Sequence, residues 1–138
     1  MKALLISCAL LLPINAIAAD TVPFTPGKWK FDTTVSTPLM QQPMKHTQTD
    51  CVVDQELSVQ KFIQQSGNSC QINHLRATGS ELKFALTCFV QGSTMTGTGR
   101  LFALNDKMNG TMDVQMMMQG MPMQIRTSWV GKRIGDCK

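Results

Sequence analysis

The sequence is poor in the residues from which active sites are usually built. Tyrosine is missing altogether, and 138 residues hold only two histidines, two tryptophans and six phenylalanines. Charged residues make up 16% of the chain. His46 and His74 are isolated from each other, and Asp113 and Glu81 fall at turn or outward positions with no evident partner. No nucleophile, base and orienting acid gather at a recognisable spacing, so an enzyme is not expected. The basic residues are scattered among acids, and Lys132, Arg133 and Lys138 make only a loose C-terminal group. Without a basic stripe and interleaved aromatics, nucleic-acid binding is not expected either. Neither a Cys-x-x-Cys pair nor a Cys/His cluster at ligand spacing is present, which argues against a zinc or dithiol redox centre.

Long apolar runs are missing beyond the N-terminus, so no transmembrane segment is expected. Met1-Lys2 is a one-charge start, Ala3 to Ile14 is a short apolar stretch, and Ala16-Ile17-Ala18 offers small residues at the positions a signal peptidase reads. Residues 1–18 read as a secretory signal peptide and residues 19–138 as a single domain of periplasmic type. Leu5-Ile6-Ser7-Cys8 has the look of a lipoprotein cleavage box. Cutting there would strand apolar Ala9 to Ile17 on the mature chain, so Cys8 is expected to leave with the leader. The chain has 13 Lys+Arg and 9 Asp+Glu, so loss of Lys2 leaves a net charge near +3.

Four cysteines then remain, Cys51, Cys70, Cys88 and Cys137, which in an exported domain read as two disulfides. Cys70 and Cys88 flank the turn-like "ATGSE" symmetrically about Gly79. Folding there sets Cys70 opposite Cys88, Ile72 opposite Leu86 and His74 opposite Phe84, so the register that closes the bridge also gathers apolar side chains. Cys51 is left for Cys137. The two bridges are worth about 3 and 4–5 kcal/mol in the chain-entropy account.

Alternation organises the rest. In "FTPGKWKFDTTVS", Trp29, Phe31, Thr33 and Val35 share one face of a strand entered through Pro26-Gly27. "KHTQTDCVV" is mostly polar and reads as an edge strand. "DQELSVQKFIQQ" predicts a short helix capped by Asp54 and stopped by Gly67. "TMTGTGRLFAL" is a strand in which Gly97 and Gly99 permit sharp bending or close approach. Residues 108–118 and 121–130 form a last hairpin. The expected fold is mainly β: one curved antiparallel meander of about seven strands, a half-barrel or small barrel, with one short helix and two disulfides.

Methionine is what the sequence has in excess. "MDVQMMMQGMPMQI" spans Met112 to Ile125 and holds six of the chain's eleven. On a strand, Met108, Met112, Val114, Met116 and Met118 share one face, and a two-residue turn at Gln119-Gly120 pairs Met118 with Met121 and Met116 with Met123. Most of these methionines are expected in the core, at about 1.5–3 kcal/mol each on burial. The turn end, with Met116, Met118, Met121 and Met123, is the candidate ligand-binding face, because thioether side chains adapt to varied apolar partners. Met40, Met44 and His46 form a second soft cluster. If Cys51 bonds Cys137, the tips at 38–43 and 119–120 share one end. Met40, Met44, His46, Met118, Met121 and Met123 are then a candidate Cu(I) or Ag(I) site.

"PGKWKFDTTV", "TDCVVD", "GTGRLFALNDKMNGTMDV", the "GMPM" turn and terminal "GKRIGDC" resemble a bacterial exported family catalogued as domain of unknown function 3617. The resemblance covers nearly all of the mature chain and implies export, disulfides and a single β-rich domain, with no catalytic residue. The resulting expectation is a non-enzymatic binding protein that holds a hydrophobic small ligand or a partner segment on a methionine-rich sheet face. A periplasmic Cu(I)-binding protein is the second reading.

Overall fold

A computed structural model of the chain describes residues 20–67 and 69–138; the expected leader and Cys8 lie outside the described residues. Nine strands and one helix are present among them: β1 (Thr21–Pro23), β2 (Gly27–Ser36), β3 (Met44–Val52), β4 (Glu56–Ser58), α1 (Val59–Ser66), β5 (Ser69–Thr78), β6 (Glu81–Val90), β7 (Ser93–Leu104), β8 (Lys107–Met118) and β9 (Met121–Gly135). Seven of the strands form one antiparallel sheet in the order β3-β2-β9-β8-β7-β6-β5. The sheet does not close, and β3 and β5 are its edges. Of the two expected forms it is the open one. β3 is polar and exposed along almost its whole length, which suits an edge that must not recruit another strand.

The meander is held by short turns whose residues fit the backbone they adopt. Gln91-Gly92 and Gln119-Gly120 both have positive φ at both positions, the twist that joins antiparallel strands through two residues. The β8–β9 register follows: Met118 faces Met121, Met116 faces Met123, Val114 faces Ile125 and Gly110 faces Trp129. The Cys51–Cys137 and Cys70–Cys88 bridges are both formed.

Two expectations change. The helix starts at Val59 with Ser58 as its cap, not at Asp54. Glu56–Ser58 is instead a strand that pairs with Thr21–Pro23, a second small sheet. Asp54 pairs with Lys61 Nζ at 2.6 Å, while Gly67 ends the helix in the left-handed conformation as expected. In the β5–β6 hairpin, Ile72 faces Leu86 but an extra residue at Asn73 shifts the register. Leu75, not His74, then faces Phe84, and His74 lies exposed on the opposite side. The bulge reconciles a two-residue turn at Gly79-Ser80 with the register the disulfide requires, and it delivers Leu75 and Ala77 to the core face.

The inner face of the sheet carries the core. Trp29 and Leu82 are fully enclosed, and β1, the segment after it and α1 cover them with Val22, Phe24, Val59 and Ile63. Phe24 stacks on Trp29 with ring centroids 4.4 Å apart, and the indole N–H donates to the Thr25 carbonyl at 2.9 Å. Pro26 and Gly27, which carry the start of the family resemblance, meet its end here. Arg133 Nε donates to the Pro26 carbonyl at 2.7 Å, and a Cβ on Gly27 would lie 2.4 Å from that guanidinium nitrogen. Asp136 pairs with Arg133, and Cys137 closes the bridge to Cys51. The two motifs thus form a clasp at one end of the sheet.

Candidate functional site

The core does not fill the inner face. Between α1 and the sheet lies an open groove of about 370 Å³, lined from β3 across to β6. That one cavity touches six successive strands requires the sheet to curl around it. Its floor is aromatic and sulfur-bearing: Phe31, Trp129, Phe84, Met108, Met112 and Leu101. Phe24, Leu57, Val59 and Phe62 form the cover. Polar groups enter mainly from the β3 side, where Gln48 Nε2 donates to Asp50 Oδ2 at 2.8 Å at the rim.

Glycines set the shape of this floor. Phe31 faces Gly131, Trp129 faces Gly110 and Phe84 faces Gly99 across neighbouring strands. A Cβ on Gly99 would lie 2.1 Å from the Phe84 ring, and one on Gly131 would lie 2.9 Å from Phe31. Each ring therefore lies down over a bare stretch of backbone instead of standing up into the groove. This widens the groove and leaves ring faces as its surface.

The methionines divide into two groups. Met108 and Met112 are half-buried and line the groove. Met116 and Met123 are half-buried farther along the same face, and Met118 and Met121 reach solvent at the turn. None of these last four lines the groove. Met44 and His46 lie on β3 on the inner side, exposed, opposite Val35 and Thr33. Met40 sits in the loop before them. β3 and β9 run the same way on either side of β2, so the 38–43 and 119–120 tips do share one end of the sheet. Among the described residues, no group of three or more His, Cys, Asp or Glu could hold a metal ion, so a soft-metal centre would rest on thioethers and His46.

Electrostatics add little to the groove. No polar or charged residue is buried among those described. Asp113 and Glu81, expected to lack partners, have them on the outer face. Arg126 grips Asp113 through Nε at 2.7 Å and Nη2 at 3.1 Å, and Arg100 reaches Glu81 at 2.8 Å. The hydrogen bond from Arg126 holds the Asp113 carboxyl below its ordinary value, with the guanidinium charge adding to it.

The expected site lay at the methionine turn, and the aromatic floor was missed. Its signal was available, since each ring is matched by a strand glycine. The match appears only once the strands are aligned across the sheet.

The family model described as a protein of unknown function, DUF3617, matches residues 24–137. No curated protein and no solved structure matches the chain. No helix among the described residues is long and apolar enough to cross a membrane.

Proposed function

The chain belongs to the DUF3617 family, for which no activity is assigned, and from its own geometry we propose that it is a non-enzymatic periplasmic protein that binds a small apolar ligand in the groove beneath α1. One observation carries this reading. A space of about 370 Å³, walled by rings and thioethers, stays open in a domain that encloses Trp29 and Leu82 completely. That volume falls within the range of small-molecule sites, roughly 300–1,000 Å³, which are typically apolar with a few polar groups to orient the ligand. Asp50 and Gln48 supply those groups, so the ligand that fits is a short hydrocarbon or aromatic body with a hydroxyl or amine at one end. Methionine lets the floor adapt to more than one such body. Two disulfides suit an oxidising compartment.

Copper is the second reading. What favours it is the thioether cluster of Met116, Met118, Met121 and Met123 on the inner side of the β8–β9 turn. Met44 and His46 lie level with Thr127 and Trp129, about 20 and 27 Å along the strands from Met121, so this reading rests on those four methionines. Native mass spectrometry of protein purified from the exported fraction tests both. Retention of a small organic mass, weakened at least about tenfold by Phe62→Asp, supports the groove; Phe62 is exposed, so the fold tolerates the change. A 63-dalton increment alone (one copper) would favour the metal. Apo protein that also takes up no apolar probe from solution counts against the groove.

A further inference from the structure

Register brings together at one end of the sheet four stretches that are distant in sequence and share one property. Residues 33–44, 62–73, 84–99 and 114–125 contain no ionisable side chain other than cysteine. They supply the β2–β3 loop, the end of α1 with the start of β5, the β6–β7 turn and the β8–β9 turn, all at the same end. Moving inward from those turns, the first charged or titratable residues on the sheet are Asp113, Arg126 and His74, which share one row across the strands. Asp113 and Arg126 neutralise each other. About 17 Å of sheet beyond that row, from Asp113 to Met118, is uncharged.

This end is uncharged, and large apolar side chains stand exposed among its glutamines and serines. Leu39 is 79% exposed, Met121 66%, Phe89 56%, Met117 55% and Met118 47%. These side chains do not form one face. Met118 and Met121 lie on the inner side, Met117 and Phe89 on the outer, and Leu39 in the adjoining loop. A protein partner covers a face, whereas a lipid surface surrounds an end. Behind the uncharged zone, Lys45, Arg100, Lys83 and Arg76 fall in a single row across the whole outer face. Glu81 is the acid paired with two of them. Such a row, about 24 Å along the strands behind Met118, draws this end of the molecule toward an anionic surface from a distance.

We propose that the β2–β3, β6–β7 and β8–β9 tips dock this protein on an anionic lipid surface, with Leu39, Met118 and Met121 entering the interface and the basic row behind them steering the tips toward it. The proposal does not depend on the groove being occupied. The exported protein is floated with vesicles of phosphatidylethanolamine and phosphatidylglycerol at 3:1. The unaltered protein rises with the vesicles, and raising salt weakens this because the basic row is screened. Leu39→Asp combined with Met121→Asp lowers the bound fraction at least about tenfold, while Val130→Asp, exposed on the outer face toward the other end, leaves it unchanged. Met121→Trp is then the only tryptophan near the tips, and brominated lipid quenches it if the tip is inserted. The proposal is overturned by no flotation, by tip variants that float normally, or by no quenching at residue 121. A solution dimer that the tip substitutions dissolve would also overturn it, because the end would then be a protein interface.

Discussion

At the end where β2 starts and β9 stops, a side chain that moves meets a ring, a backbone carbonyl or a disulfide; at the end where β8 turns into β9, it meets water or another methionine. Trp29, Phe24 and Leu82 are enclosed at the first. Gly27, Arg133 and the Cys51–Cys137 bridge clamp the chain around them. The second end has type I′ turns, exposed thioethers and no charge. Both are parts of one continuous sheet with the same strand pairing, so hydrogen bonding between strands does not distinguish them. The difference lies in what the side chains can do. Rings with fixed partners make one arrangement much better than its neighbours, whereas unbranched thioethers pack acceptably in many. The first end therefore carries stability and the second end carries adaptable contact, and the groove lies between, with rings from one regime and Met108 and Met112 from the other.

The sharpest way to break this comparison is to truncate one large side chain at each end. Trp29→Ala removes a side chain with no exposed surface, its stack on Phe24 and its bond to Thr25. The expected loss is about 3–5 kcal/mol, the range for large buried aromatics. Met118→Ala removes a half-exposed side chain and is expected to cost within about 0.5 kcal/mol. Urea unfolding of both variants, with the disulfides intact, reads the two midpoints. Similar losses would mean that the methionine end is as tightly built as the clasp.

Glycines in the groove sharpen the comparison at smaller scale. Gly99→Ala drives a methyl into the Phe84 ring, where 2.1 Å separates the Cβ position from the nearest ring atom. The ring must leave its place over β7, at about 1–3 kcal/mol. Two residues away, Gly97→Ala meets Leu86 Cδ1 at 3.2 Å, the end of a flexible side chain, and should cost less. Thermal unfolding ranks the two. The same Gly99→Ala protein should also have a reshaped groove, so any ligand the wild type retains is expected to bind more weakly. A Gly97→Ala variant as destabilised as Gly99→Ala would show that the rings do not define the floor.

How much of this could be read from the sequence differs in the same way along the chain. The β8–β9 hairpin was legible over residues 108–130, because alternation holds there with Met117 as the exception and Gln-Gly fits a two-residue turn; the continuation of β9 to Gly135 was not read. The β2 face and the polar edge β3 were legible for the same reason. Both disulfide pairings followed from the register of one hairpin and elimination. β1 and β4 were not legible: three-residue strands carry no period, and Glu56 to Ser58 have helix-compatible residues that tertiary pairing with Thr21–Pro23 overrides. The Asn73 bulge was missed although the sequence carried its signal: an unbroken register would bring His74 and Arg76 to the core face with Ile72, and a shift of phase after Ile72 brings Leu75 and Ala77 there instead. The methionine tip was named from composition. The groove beside it depends on rings matched with glycines across strands, and the uncharged end on four stretches joined only by the fold.

The outer face gives the smallest test, and it asks where the uncharged end begins. Asp113 and Arg126 are directly opposed on β8 and β9, and theirs is the last ion pair on that hairpin before the tips. The hydrogen bond from Arg126 and its charge lower the Asp113 pKa, so the folded-state value lies below the unfolded one. A depressed carboxylate stabilises the fold above its unfolded pKa, near 3.9 in model peptides, and loses that contribution as pH falls through the folded value. Asp113→Asn should therefore leave stability at pH 7 slightly reduced and make it less steep in pH below about 4. Because the pair is solvent-exposed, the change should be small and should shrink further in high salt. Comparing acid-limb slopes of the two proteins by circular dichroism at low and high salt reads it. If the slopes coincide at low salt, the pair marks the boundary of charge without fastening the two strands, and the hairpin beyond it is held by the backbone ladder, side-chain packing and the turn.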